Sequence, residues 1–147
     1  MEQHMKFKIT KLVSAVGALL LPIGAAIVMG PSAHATVAPP IRVNANGPAY
    51  TDGSGIPWSA DQTYATGSWG YDTLYGSGST ASTIAGTTDQ TLYKSYNLFN
   101  SWTGYKFDVA NGTYQVTLKM VEDWATAAGQ RKFDVRIGGT TVLTAFD

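Results

Sequence analysis

The sequence has no cysteine, and its two histidines, His4 and His34, both lie near the amino terminus. Without cysteine, neither a disulfide framework nor a thiolate zinc site can form. Removal of the leader described below would also leave the mature chain without histidine, which excludes Ser-His-Asp catalysis, Cys-His catalysis and histidine-ligated metals. We therefore expect no cofactor and no metal centre.

Charge is also scarce, since charged residues make up 14% of the chain. From Thr36 onward there are seven Lys/Arg and nine Asp/Glu, a net charge of −2. This balance gives no basic footprint for nucleic acid and no polybasic patch for a membrane surface. Gly, Ser, Thr, Asn and Tyr are abundant instead, which favours uncharged polar ligands over ions.

The first 35 residues have the organisation of a secretory signal peptide. A lysine-bearing region at 5–11 precedes an apolar run at 12–29, and small residues then lead to Ala35. This order predicts export with cleavage after Ala35. Residues 36–40 would then form a short extended linker, because Pro39 and Pro40 disfavour a helix.

The alternative for the leader is an uncleaved membrane anchor. An apolar run of about 18 residues nearly spans a bilayer. Pro22 and Gly24 interrupt this run, and a small-residue cleavage site follows it. Cleavage is therefore favoured, and we expect a secreted protein without a membrane anchor once the leader is removed.

Beyond residue 40, apolar and polar residues alternate with the period of a β-strand. Asn111–Gly112 and Gly138–Gly139 are strong signals for tight hairpin turns between such strands. The predicted strands are 41–44, 91–96, 105–109, 112–120, 131–137 and 140–143. Short antiparallel strands joined by glycine turns predict an all-β fold, an antiparallel β-sandwich.

Two regions lack this alternation, residues 46–90 and 122–130. Loops of such length in a compact domain are usually functional, and their aromatic content argues against disorder. The loop aromatics include Trp58, Tyr64, Trp69, Tyr71, Tyr75 and Trp124. An indole or phenol can stack on the C–H face of a pyranose while polar groups bind its hydroxyls. We therefore predict sugar binding, and we assign the aromatics in strand register to the core: Tyr93, Phe107, Tyr114 and Phe133.

The acidic residues do not predict an enzyme. Glycosidases need two carboxylates that flank one bond, and Glu122 and Asp123, as neighbours on a strand, would point to opposite faces. The loop acids are more typical of turns, although 52–55 resembles part of a calcium loop. We expect neither catalysis nor a bound metal.

Five blocks of sequence together indicate a family. They are RVNANGPAYTD (42–52), WSAD (58–61), IAGTTDQTLY (84–93), NGTYQVTL (111–118) and AAGQRKFDVRIGG (127–139). In order and spacing they resemble malectin-like carbohydrate-binding domains, over 41–147. The resemblance implies a jelly-roll type β-sandwich with long ligand loops at one end, and a glucose-containing oligosaccharide or polysaccharide as ligand.

The resemblance also implies the binding residues. Members of the family carry an aromatic pair just after a glutamate; here Trp124 and Ala125 take those places, which leaves one aromatic. Trp58 and Tyr75 correspond to two loop tyrosines, with Tyr71 or Trp69 as alternatives to Tyr75. The nearby polar candidates are Asp61 and Gln130.

The family domain extends beyond the position that matches Asp147, so we expect the domain to be incomplete at its carboxyl end and to belong to a longer protein with further domains. Two other hypotheses remain open. The chain could be a structural or adhesion module that binds a protein partner through its aromatics. It could also be the non-catalytic accessory domain of a larger glycoside hydrolase.

Overall fold

The computed structural model describes residues 35–99 and 103–147, so the leader lies outside the described residues except for Ala35. The described part is built of strands and one 3₁₀ turn, Gln90–Leu92. The strands are β1 (Val43–Asn44), β2 (Tyr50–Thr51), β3 (Pro57–Ala60), β4 (Trp69–Tyr71), β5 (Gly76–Ser79), β6 (Ser95–Leu98), β7 (Tyr105–Phe107), β8 (Phe133–Ile137) and β9 (Thr140–Phe146). The predicted all-β class is confirmed. Within these residues, no helix has the length and apolar character needed to cross a bilayer.

The strands form small sheets that join distant parts of the chain. β3 lies between β1, which runs parallel to it, and β2, which runs antiparallel. The pairs β4–β7, β5–β6 and β8–β9 are antiparallel. Because β6 and β7 pair with β5 and β4, residues 69–71 are held against 105–107, and residues 76–79 against 95–98. Residues 41–99 and 103–109, called the body below, are thereby tied together.

The predicted hairpin at the carboxyl end is confirmed. Phe133–Ile137 pairs with Thr140–Phe146, and Gly138 and Gly139 have φ of 58° and 86°. Two consecutive residues with positive φ define the tight turn whose twist matches that of the flanking strands. Glycine adopts this backbone without steric cost, which explains the Gly-Gly pair.

The other predicted hairpin is wrong. Residues 112–120 form no strand, although their apolar residues alternate. The preceding strand ends at Phe107; the next residue, Asp108, still donates its N–H to Ser68, and its carbonyl accepts from Val37. Tyr114 then folds back, and its hydroxyl donates to the carbonyl of Ala110. Alternation shows a chain with two distinct sides, but a strand also needs a neighbouring backbone to pair with.

Several other predicted boundaries are also corrected. The strand expected at 91–96 is replaced by the 3₁₀ turn and by β6, and the strand expected at 41–44 is shortened to β1. Residues 46–90 contain β2 to β5 rather than one long loop. These strands are too short or too rich in Gly and Ser to show alternation. In β5, a Cβ at Gly78 would lie 2.7 Å from the ring of Tyr96, so glycine is needed for the ring to cover the strand.

The buried core is small and largely aromatic. Trp69, Phe99, Tyr105 and Val135 are buried. Tyr105 lies edge-on to Phe99 with ring centroids 5.6 Å apart, and stacks on Phe107 at 6.2 Å. Trp69 continues this row at 6.4 Å from Phe107. Trp69 is therefore a core residue rather than an exposed loop aromatic.

Candidate functional site

A large open groove of about 1320 Å³ lies beside the core. One part of its lining comes from the body and includes Trp58, Tyr93 and Tyr96. Another part comes from residues 113–123, which belong to what we call the linking segment, residues 110–132. The groove therefore has one boundary built of paired strands and another built of irregular chain.

The Lys119 ammonium contacts two aromatic rings of the body. Its Nζ lies 5.5 Å from the centroid of the Trp58 ring and 5.5 Å from that of Tyr93. It also donates a hydrogen bond of 3.2 Å to the Tyr93 hydroxyl. An ammonium over a ring face is attracted by the ring's negative quadrupole. Lys119 thus joins the linking segment to the body at the groove.

The Trp58 indole is oriented by the turn that precedes β3. Its Nε1 donates to Asp52 Oδ2 at 3.0 Å. The other carboxylate oxygen of Asp52 accepts from the N–H groups of Ser54 and Ile56 at 3.0 and 2.9 Å. The hydrogen bond from Trp58, and then that from Ile56, lowers the pKa of Asp52.

This arrangement makes Asp52 an aspartate that caps its own turn. Both of its oxygens accept from N–H donors, so the 52–55 loop positions Trp58. Among the described residues, no group of three or more His, Cys, Asp or Glu side chains is placed to hold a metal ion.

Trp124 is presented on a loop that is organised by Glu122. Glu122 Oε1 accepts from the N–H groups of Trp124 and Ala125, each at 2.7 Å. Its Oε2 forms an ion pair of 2.8 Å with Arg131 Nε. The Arg131 guanidinium lies 5.6 Å from the Trp124 ring, which is 65% exposed. The ring therefore has a cation near it and a large free surface.

Gln130 closes the same loop. Its Oε1 accepts from the N–H of Thr126 at 2.7 Å and from that of Ala127 at 3.1 Å. The N–H of Gly129 donates to Asp147 Oδ2. The predicted site residue Gln130 thus shapes the turn after Trp124 with its carbonyl oxygen.

Asp61 lies at the centre of a polar network inside the body. Its Oδ2 accepts from the Asn46 N–H at 2.7 Å, from Asn97 Nδ2 at 2.5 Å and from the Tyr105 hydroxyl at 2.9 Å. Asn97 and Tyr105 are buried. Burial, and then the Asp61 charge, raises the pKa of Tyr105. Asp61 therefore connects β6 and β7 to the loop after β1.

The two remaining predicted site residues lie elsewhere on the body. Tyr71 is half-buried and edge-on to Tyr105, with centroids 6.5 Å apart. Tyr75 precedes β5 and is 55% exposed. Of the six predicted residues only Trp58 lines the groove, while Trp124 has neighbours that do, Ala125 and Arg131.

The groove lining includes many residues that were not among the predicted site residues, notably Tyr93, Tyr96 and Lys119. Tyr93, expected in the core, is half-buried beside Lys119. The pKa of Tyr96 is raised by burial, and then by the charge and hydrogen bond of Asp123. Nothing in the local pattern could place Lys119 over a ring far away in the sequence, because that contact depends on the path of the linking segment.

An all-β domain with aromatic rings beside an open groove has the features of a carbohydrate-binding module. The family model of the malectin domain matches residues 40–147. The chain therefore belongs to the malectin domain family, whose domains bind carbohydrate and are not catalytic. Comparison with curated proteins and with solved structures gave no match.

Proposed function

We propose that the protein is a secreted, non-catalytic module that binds glucose-containing oligosaccharides by stacking sugar rings on Trp58 and Trp124. The observation that carries this proposal is the placement of the two indoles. Trp58 lines the groove, and Trp124 stands exposed on a loop whose neighbouring residues line it. The malectin family membership supplies the ligand class.

The Trp58 indole and the backbone that carries Trp124 are held in place before any ligand arrives. Trp58 is fixed through its Nε1 by Asp52, and Trp124 through its backbone by Glu122. Preorganised rings lose little conformational freedom on binding, so more of the stacking energy contributes to affinity. The stacking of a nucleobase on an aromatic side chain is worth about 1–3 kcal/mol, and we take the stacking of a sugar to be no larger.

The carboxylates at the groove support a binding role rather than hydrolysis. Glu122 accepts two backbone hydrogen bonds and pairs with Arg131, so both of its oxygens are engaged. Asp123 follows directly and interacts with Tyr96. A glycosidase needs one carboxyl group free to give a proton and a second across the scissile bond.

A glycan array followed by tryptophan fluorescence titration tests the proposal. We expect glucose oligomers to bind and to change the fluorescence, and Trp58→Ala and Trp124→Ala each to weaken binding by about tenfold. Val142→Ala is the control, because Val142 is 49% exposed and does not line the groove. If no glycan binds and Trp124→Ala instead disrupts capture of a protein partner, the proposal is wrong.

Secretion is the second part of the proposal. It rests on the order of charged, apolar and small residues in the first 35 positions. Mass spectrometry of the protein recovered from the medium of expressing cells should find a chain that begins at Thr36. A chain found only in the cells with its leader intact would contradict export.

A further inference from the structure

Lys119 is a cation at the groove whose partners are aromatic. Its contacts are the Trp58 ring, the Tyr93 ring and the Tyr93 hydroxyl. Within residues 35–99 and 103–147, the recorded ion pairs are Lys106 with Asp72 and Arg131 with Glu122, so no carboxylate pairs with Lys119. Its positive charge is therefore available to a ligand.

From this placement we propose that Lys119 is a specificity-determining residue that selects acidic sugars. The ligand class is glucose oligomers that carry carboxylates at C6, that is, glucuronate-containing oligosaccharides. This inference rests on the proposed stacking function and concerns the same site. A sugar stacked on Trp58 would bring its ring substituents next to the Lys119 ammonium.

The other charges at the groove support this choice. The Val43–Ser59 register of β1 and β3 places Arg42 next to Trp58, and both line the groove. Two cations therefore lie at the Trp58 end. Asp52, whose pKa is lowered slightly by Lys119, has both oxygens engaged by the turn and the indole.

The acidic side chains at the Trp124 end are engaged by other groups. Glu122 pairs with Arg131, Asp123 interacts with Tyr96, and Asp147 accepts from the Gly129 N–H. Arg131 lies beside Trp124, but its charge is balanced by Glu122. It therefore attracts an anionic ligand less than Lys119 does. The preference for an acidic ligand is therefore assigned to the Trp58 end.

Competition for the Trp58 ring strengthens the preference. A neutral sugar that stacks on the face occupied by the ammonium must displace it, and the cation–π attraction is then lost. A uronate offsets that loss, because its carboxylate can accept a charge-assisted hydrogen bond from the displaced ammonium. The same residue therefore weakens neutral ligands and strengthens acidic ones.

The test compares a 1,4-linked tetraglucose with its counterpart in which the C6 hydroxymethyl groups are oxidised to carboxylates. Fluorescence titration of the full chain at low salt should show about threefold to tenfold tighter binding of the acidic oligomer. Lys119→Met should remove this preference, whereas Lys119→Arg should keep it. Lys132→Met is the matched control, because Lys132 is exposed and does not line the groove.

Salt provides a readout that needs no variant. Raising NaCl from about 0.05 to about 0.5 M should reduce the affinity for the acidic oligomer and leave that for the neutral one unchanged. Equal binding of the two oligomers, or a preference that survives Lys119→Met, would overturn the role of Lys119 while the stacking function stands. If neither oligomer binds, both proposals are wrong.

Discussion

The body and the linking segment, the two parts of the chain that border the groove, are held in opposite ways. The body is fastened by contacts between residues far apart in the sequence: Tyr64 and Gly67 both donate to Asp108 Oδ2, at 2.8 and 2.7 Å. The linking segment relies on local contacts, such as those that Glu122 and Gln130 make within a few residues. The groove is therefore bordered on one side by chain held through long-range contacts and on the other by chain held mainly through local ones.

This contrast has a thermodynamic meaning. Long-range contacts are lost together on global unfolding, whereas local contacts can open alone at a lower free energy. Lys119 is the side chain that links the two regions at the rings. We therefore expect substitutions in the body to change stability most, and substitutions in the linking segment to change local dynamics and binding.

The largest effect is expected for Asp61→Ala. The substitution leaves the buried Asn97 amide and the Tyr105 hydroxyl without their shared acceptor, at a cost of about 2–4 kcal/mol. Urea denaturation followed by circular dichroism measures it. Asp72→Ala, which removes a surface ion pair with Lys106, should cost less than about 1 kcal/mol. Equal costs would mean that the body does not depend on this network.

A smaller and more local effect is expected for Glu122→Ala. It removes the acceptor for the N–H groups of Trp124 and Ala125 and the partner of Arg131. Hydrogen exchange at those two amides should become faster, while global stability falls by about 1 kcal/mol. Uniformly faster exchange across the body would show that the linking segment is not an independent unit.

Acid should release Trp58 by protonating Asp52. The pKa of Asp52 is lower in the folded state than its ordinary value of about 3.9. The stabilisation that ionised Asp52 gives the folded state is therefore complete above a pH of about 3.9, and it is lost as the pH falls through the lower, folded pKa. We expect a change in tryptophan fluorescence below about pH 4 that is absent in Asp52→Ala. If the Trp58→Phe variant shows the same fluorescence change, that change comes from another tryptophan.

The smallest stability change is expected for Tyr75→Ala. The ring is 55% exposed, so truncation should change the free energy of unfolding by less than about 0.5 kcal/mol. The family resemblance nevertheless predicts a sugar contact, and thus weaker oligosaccharide binding. Unchanged affinity in the fluorescence titration would confine the ligand to the groove between Trp58 and the linking segment.

The sequence was most informative where the determinants are local. Gly138–Gly139 predicted a hairpin because a two-residue turn is specified by its own residues. The alternation at 112–120 predicted a strand that does not form, because strand pairing depends on which other backbone lies alongside. The site shows the same limit: Trp58 could be recognised as a candidate, but its contacts with Asp52 and Lys119 follow from tertiary structure.

The hairpin also affects how the protein will behave at high concentration. All residues of β9 are exposed, and among the described residues its outer edge has no partner. Val142, Leu143 and Phe146 add apolar surface to that open backbone. An unpaired strand of this kind is a template for intermolecular sheet growth. Concentrated samples should therefore tend to form β-rich aggregates, and a lysine in place of the exposed Val142 should improve their solubility.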